Sequence, residues 1–118
     1  MYQKLIIIGN LGREPETRYS PAGEPVTAFS VATSRKFGDT GETTWFRVNV
    51  WGKQAESCSQ YLHKGSKVLV EGRLKPGPDG SPRVFERKDG TWGASFEVVA
   101  SSVKFLSGKD EPTDEVPF

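Results

Sequence analysis

Hydrophobic and polar residues alternate with period two over much of this 118-residue chain, most clearly in Thr43 to Trp51. Side chains of a strand point alternately to its two faces, so Phe46, Val48 and Val50 share one face and Trp45, Arg47, Asn49 and Trp51 the other. The first face makes a core. The second carries two indoles six positions apart with a cation and an amide between them. Lys4 to Ile8 does not alternate; it reads as a strand apolar on both faces, stopped by Gly9, which implies cover from both sides, with another subunit as one candidate for that cover. Thr17 to Tyr19 leads into the turn Ser20-Pro21-Ala22-Gly23. Pro25 then opens a strand over Val26 to Ser34, rich in β-branched residues, and Arg35 to Glu42 follows as a loop. Period 3.6 appears once, in Lys53 to Leu62, where Ala55, Cys58 and Leu62 form an apolar stripe ended by His63-Lys64-Gly65. Lys67 to Leu74 is a strand and the Pro- and Gly-rich Lys75 to Pro82 a loop. Arg83 to Arg87 pairs with Trp92 to Phe105 across Lys88-Asp89-Gly90-Thr91, whose Asp-Gly is a hairpin signal.

The expected class is therefore all-β. Five or so strands with one short helix between the third and fourth is the element order of an OB-fold, a five-stranded Greek-key barrel. Thirteen Gly and eight Pro, about 18% of the chain against roughly 12% in an average protein, demand frequent turns and few long helices. The length suits one domain, residues 1–106, followed at 107–118 by a flexible acidic tail with no periodic apolar pattern. Charge divides the same way. The tail has Lys109 against Asp110, Glu111, Asp114 and Glu115, a net −3, while the body has fifteen cations against eleven acids, a net +4.

Several function classes drop out. One cysteine and one histidine build neither an internal disulfide nor a metal cluster. The longest apolar run, Leu5 to Ile8, is far short of a membrane span, and no secretory leader pattern is seen, so the expectation is a soluble, cytoplasmic protein with no membrane partner. Gly9-Asn10-Leu11-Gly12 lacks the Lys-Ser/Thr ending of a phosphate loop and reads as a turn. Cys58 reads as a small buried thiol and His63 as a helix-end surface residue. With no carboxylate pair and no nucleophile beside a base, the chain reads as a binding protein, not an enzyme, with no cofactor.

What it binds is suggested by the face Trp45, Arg47, Asn49, Trp51. A second packed layer over the tryptophans would bury Arg47 without a partner, which is costly. A wet face of flat rings and a guanidinium instead matches a platform for nucleobases, each stacked base contributing about 1–3 kcal/mol whatever its identity. Cations surround it: Arg35 and Lys36 before Phe37, Lys53 after Trp51, Arg73 and Lys75 at the end of a strand, and Arg83, Arg87 and Lys88 around Phe85. Interleaved aromatics and cations describe a groove that follows a charged backbone while unpaired bases stack. Trp92 stays open between core, turn packing and ligand contact.

The runs IIIGNLGREPETRYSPAGEPVTAFSVATS and TTWFRVNVWGKQAESCSQYLHKGSKVLVEGRL, with the ending DEPTDEVPF, closely resemble the bacterial single-stranded DNA-binding proteins. The resemblance implies an OB-fold, usually a homotetramer, that coats single-stranded DNA in replication, recombination and repair and is associated with the nucleoid. It implies that Trp45, Trp51 and Phe37 fall on base-stacking positions, with Phe85 in the place of a fourth and Trp92 sharing or replacing that role. It also implies that the tip, Asp114, Glu115, Val116, Pro117 and Phe118, recruits replication, recombination and repair proteins, as an apolar anchor with a free carboxylate in a negative field suits a basic-rimmed pocket. Two other classes compete: a protein-interaction module without nucleic-acid binding, and an RNA-binding OB domain, separable by the 2′-hydroxyl.

Overall fold

A computed structural model describes residues 1–106. It contains seven strands and one helix: β1 (Leu5–Leu11), β2 (Glu16–Tyr19), β3 (Pro25–Phe37), β4 (Thr40–Trp51), α1 (Lys53–Tyr61), β5 (Lys67–Leu74), β6 (Arg83–Glu86) and β7 (Trp92–Phe105). Five strands, in the order β1-β5-β7-β4-β3, close into a barrel where β1 returns to β3 through Asn10↔Ala32 and Leu11↔Val31. All pairings are antiparallel except β4 with β7. In chain order α1 follows the third barrel strand and precedes the fourth, the arrangement of an OB-fold. The two extra strands hang outside the closed path, β2 on the edge of β3 and β6 on the start of β7.

The barrel is narrow, and inward-facing branched side chains fill it. Val31, Val48, Val50, Val68, Val70 and Val98 are fully buried, with Ile7, Leu11 and Phe29 around them. Each such side chain contributes about 1.5–3 kcal/mol. The α1 stripe, Ala55 and Cys58 continued by Leu62 at the cap, joins the same core. The Thr27 hydroxyl, buried beneath the helix, donates to the Ala55 carbonyl at 2.7 Å.

Three local expectations change. Gly9 does not stop β1, and Gly9 to Gly12 is not a turn; the strand runs through to Leu11. There β1 leaves β5 for β3, and a side chain on Gly9 would overlap the Ala32 carbonyl, so glycine permits the closing contact. Arg35 to Glu42 is not a loop either, because β3 and β4 stay paired out to Phe37↔Thr40 and turn through Gly38 and Asp39. Finally, α1 ends at Tyr61, one residue early, and the left-handed Gly65 closes the following turn, not the helix itself.

Candidate functional site

The outer face of β4 holds Trp45, Arg47, Asn49 and Trp51 as alternation requires, and the two indoles are 53% and 47% exposed. The register with β3 explains why nothing covers them. Trp45 lies opposite Ala32, Arg47 opposite Ser30, Asn49 opposite Ala28 and Trp51 opposite Val26, so the neighbouring row is small. Beyond it the chain meets Trp45 at Gly12, where a methyl group would collide with the indole. Six residues of strand separate the two rings by about 20 Å. At the 3.4 Å rise of a stacked strand that is about six nucleotides, so the indoles are separate platforms for different bases.

The outward row of β3 continues as the floor of three depressions lying one after another. Val26 and Ala28 share the first, about 190 Å³, with Glu16, Arg18, Arg47, Asn49, Trp51, Lys75 and Val99. Ser30 shares the second, about 280 Å³, with Gly12, Arg13 and Trp45. Ala32 and Ser34 line the third, about 510 Å³, which includes Arg35, Lys36, Lys67, Glu42 and Thr43. The result is a groove along the length of β3, with seven cations against two acids on its walls. Arg13, Arg18 and Lys67 were not singled out from the sequence. Their one available signal, outward parity on β2 and β5 for Arg18 and Lys67, means nothing until the strand order is known.

Of the cations expected from the sequence, Arg35, Lys36, Arg47 and Lys75 line this groove. Arg73 is in register with Val99 and so stands beside it. Lys53, the first residue of α1, is exposed but lines none of the three depressions. Arg87 lies 5.6 Å above the Phe85 ring and donates to the Trp92 carbonyl at 2.6 Å. Arg83 is not a free cation: it forms an ion pair at 3.6 Å with Glu97, whose side chain is only 6% exposed.

The aromatics divide between two faces. Arg47 is in register with Glu97, and β6 pairs with β7 through Arg83↔Ser95 and Phe85↔Gly93, so Phe85 has the parity of Trp45 and Trp51. Trp92 pairs with Glu86 and has the opposite parity, that of Phe96 and Phe46, whose rings meet at 5.8 Å. Phe37 also has the core parity, through Phe37↔Thr40, and is capped by the Arg35 guanidinium at 4.7 Å. Two of the five expected aromatics therefore sit on the β4 outer face, Phe85 extends that face onto the β6–β7 ribbon, and Phe37 and Trp92 belong to the other side of the projecting hairpins.

Elsewhere chemistry is sparse. Cys58 is buried, and desolvation pushes its thiol up to about 11, which makes it inert. No group of three or more His, Cys, Asp or Glu among the described residues is placed to hold a metal ion, and no helix among them is long and apolar enough to cross a membrane. Asp79 and Asp89 are each held below the usual carboxylate range by the hydroxyl and backbone N–H of the residue two further on, Ser81 and Thr91. Asp114, Glu115, Val116, Pro117 and Phe118 lie outside the described residues.

Comparison with known proteins gives a consistent answer. Residues 2–106 match the sequence model of the single-strand binding protein family. The chain is 39% identical over 120 residues to a single-stranded DNA-binding protein of Neisseria meningitidis serogroup A, covering 98% of this chain and 66% of that protein. It is 38% identical over 112 residues to single-stranded DNA-binding protein 1 of Chlorobaculum tepidum (91% and 66%), and 40% identical over 119 residues to single-stranded DNA-binding protein 2 of Clostridium acetobutylicum (98% and 85%). The chain thus spans just under two thirds of the length of the first two of these relatives.

Proposed function

The chain belongs to the single-strand binding protein family, and from that premise and the outer face of β4 we propose that it binds single-stranded DNA without reading its sequence, through stacking and phosphate contacts and with no catalytic step or cofactor. The observation that carries this reading is the groove itself: two half-exposed indoles, a run of small residues that leaves both rings uncovered, and cations along the walls. Stacking uses the π-face every base has, and cations meet a backbone every sequence shares, so tolerance of sequence follows from the chemistry.

In this reading Trp45 and Trp51 stack two bases about 20 Å apart, and Phe85 takes a third. Arg47, Arg18, Lys75, Arg13 and Lys36 follow the phosphates along this face, with Arg73, Lys53 and Arg87 at the margin, while the Arg35 guanidinium stays with Phe37 on the opposite face. Phe37 and Trp92 serve a strand only after it has passed round a hairpin edge onto the opposite face. Residues 1–106 act as the binding domain, four copies assembling through the outer face of β1, where Ile6 is 58% exposed. The 107–118 segment acts as a tail whose tip, Asp114 to Phe118, recruits the proteins of replication, recombination and repair to the coated strand.

Titration with oligo-dT tests the central claim. Tryptophan emission should be strongly quenched, and affinity should fall log-linearly with salt. Absence of both would overturn it. An RNA oligomer of the same base sequence, bound as well as or better than DNA, would instead favour an RNA-binding role.

A further inference from the structure

Glu97 is out of place in a groove that attracts phosphate. It has the outward parity of Arg47, its direct partner across β4 and β7, yet its side chain is only 6% exposed. Lys75 donates its backbone N–H to the Glu97 carbonyl at 2.8 Å, and Arg83 reaches the carboxylate diagonally from its own partner Ser95. Of the cations arranged around it, Arg83 is the one that forms an ion pair, at 3.6 Å, while its own side chain is 58% exposed.

We infer that Glu97 and Arg83 form a neutral latch that fastens the β6–β7 ribbon beside the groove, so that Arg83, although exposed and cationic, is withheld from the phosphate backbone. The physical reason is the unequal cost of the two states. A phosphate that drew Arg83 away would leave a buried carboxylate without its partner, and such uncompensated burial costs more than one solvent-exposed phosphate contact returns. Glu97 is thus a positioning residue. It holds Arg83, and through it the strand that carries Phe85, and it sets how many cations of the face count toward the DNA.

The inference rests on the DNA-binding reading, and the salt dependence of oligo-dT binding tests it. Each phosphate neutralised by a single-strand binder contributes about 0.7 to the slope of log affinity against log salt. Glu97→Gln keeps the shape and frees Arg83, so its slope should steepen by about 0.7, an advantage that grows about fivefold with each tenfold dilution of salt. The double variant Arg83→Gln/Glu97→Gln should return to the parent slope. If Arg83 already contacts phosphate in the parent, Glu97→Gln leaves the slope unchanged and the double variant is shallower by about 0.7, which overturns the latch. Unliganded tryptophan emission reports folding, and if the double variant misfolds the slope of Glu97→Gln alone decides. Parent protein that shows no salt-dependent binding would sink the DNA-binding reading itself, whereas a binding parent with an unmoved Glu97→Gln slope sinks only the latch.

Discussion

Trp45 owes its exposure to the small side chains beside it. Ala32 stands opposite and Gly12 beneath its ring, so the indole is neither covered nor crowded. Two substitutions separate its role as a platform from any role in folding. Trp45→Ala and Trp51→Ala should each weaken oligo-dT binding by about 1–3 kcal/mol. Neither should change the salt slope, because an indole neutralises no phosphate. Gly12→Ala keeps both rings but adds a methyl where the Trp45 indole lies, and the ring is a movable side chain. It should reduce affinity and quenching while stability changes within about 0.5 kcal/mol, as for an ordinary surface substitution. A comparable loss of stability, read by thermal melting, would mean that the indole holds the barrel together as well.

At the scale of elements, glycine has a different meaning within β1 and β5 from the one it has at Gly12, where the neighbour is a side chain. Gly9 and Gly72 both lie where a neighbouring backbone carbonyl, of Ala32 and Val99 respectively, occupies the space of a side chain. Gly72 also sits at the irregularity in the β5–β7 ladder. Backbone at a barrel seam cannot step aside, so Gly9→Ala should destabilise by at least the 1–3 kcal/mol or so of an overpacked core. For a domain of this size that is a fall in Tm of about 4–8 °C per kcal/mol. The β6–β7 hairpin is sensitive in another way. The hydroxyl and N–H of Thr91 that hold Asp89 below the usual range stabilise its turn only while the carboxylate is ionised. That contribution is present above the ordinary aspartate pKa of about 3.9 and lost as pH falls through the lowered folded value. Below about pH 4 the emission of Trp92, with Trp45 and Trp51 replaced by Phe, should report a loosened hairpin, and Asp89→Ala should show no such transition.

For the whole molecule, charge and assembly decide how the groove is used. Ile6 is exposed on the outer face of β1 beside half-buried Ile8 and Leu69, an apolar strip that the proposed assembly would cover. Light scattering should give a mass near 52 kDa, four chains of 13.0 kDa, and Ile6→Glu should lower it; a parent near 13 kDa would remove the tetramer. Residues 110–118 carry four acids and no cation, against a body of net charge +4. Their deletion should tighten oligo-dT binding at low salt, with the difference fading as the Debye length shortens toward 3 Å at about 1 M. Unchanged affinity at low ionic strength would show that the tail does not compete for the groove.

Parity within a strand is local geometry, and the sequence by itself determined whatever depends on parity alone. The wet face of Trp45, Arg47, Asn49 and Trp51, the stripe of Ala55, Cys58 and Leu62, and the Asp-Gly hairpin all follow from residues a few positions apart. Pairing between strands depends on contacts far apart in the chain, and no periodicity encodes it. Only the tertiary structure decided that Gly9 closes the barrel where a turn was expected, and that Phe85 shares the face of Trp45 while Trp92 does not. Arg13, Arg18 and Lys67 likewise enter the groove only because β2 lies against β3 and β1 lies between β3 and β5. Arg83 shows the limit most plainly: its charge is visible in the sequence, but the buried carboxylate that occupies it lies fourteen residues away and is brought close by the fold.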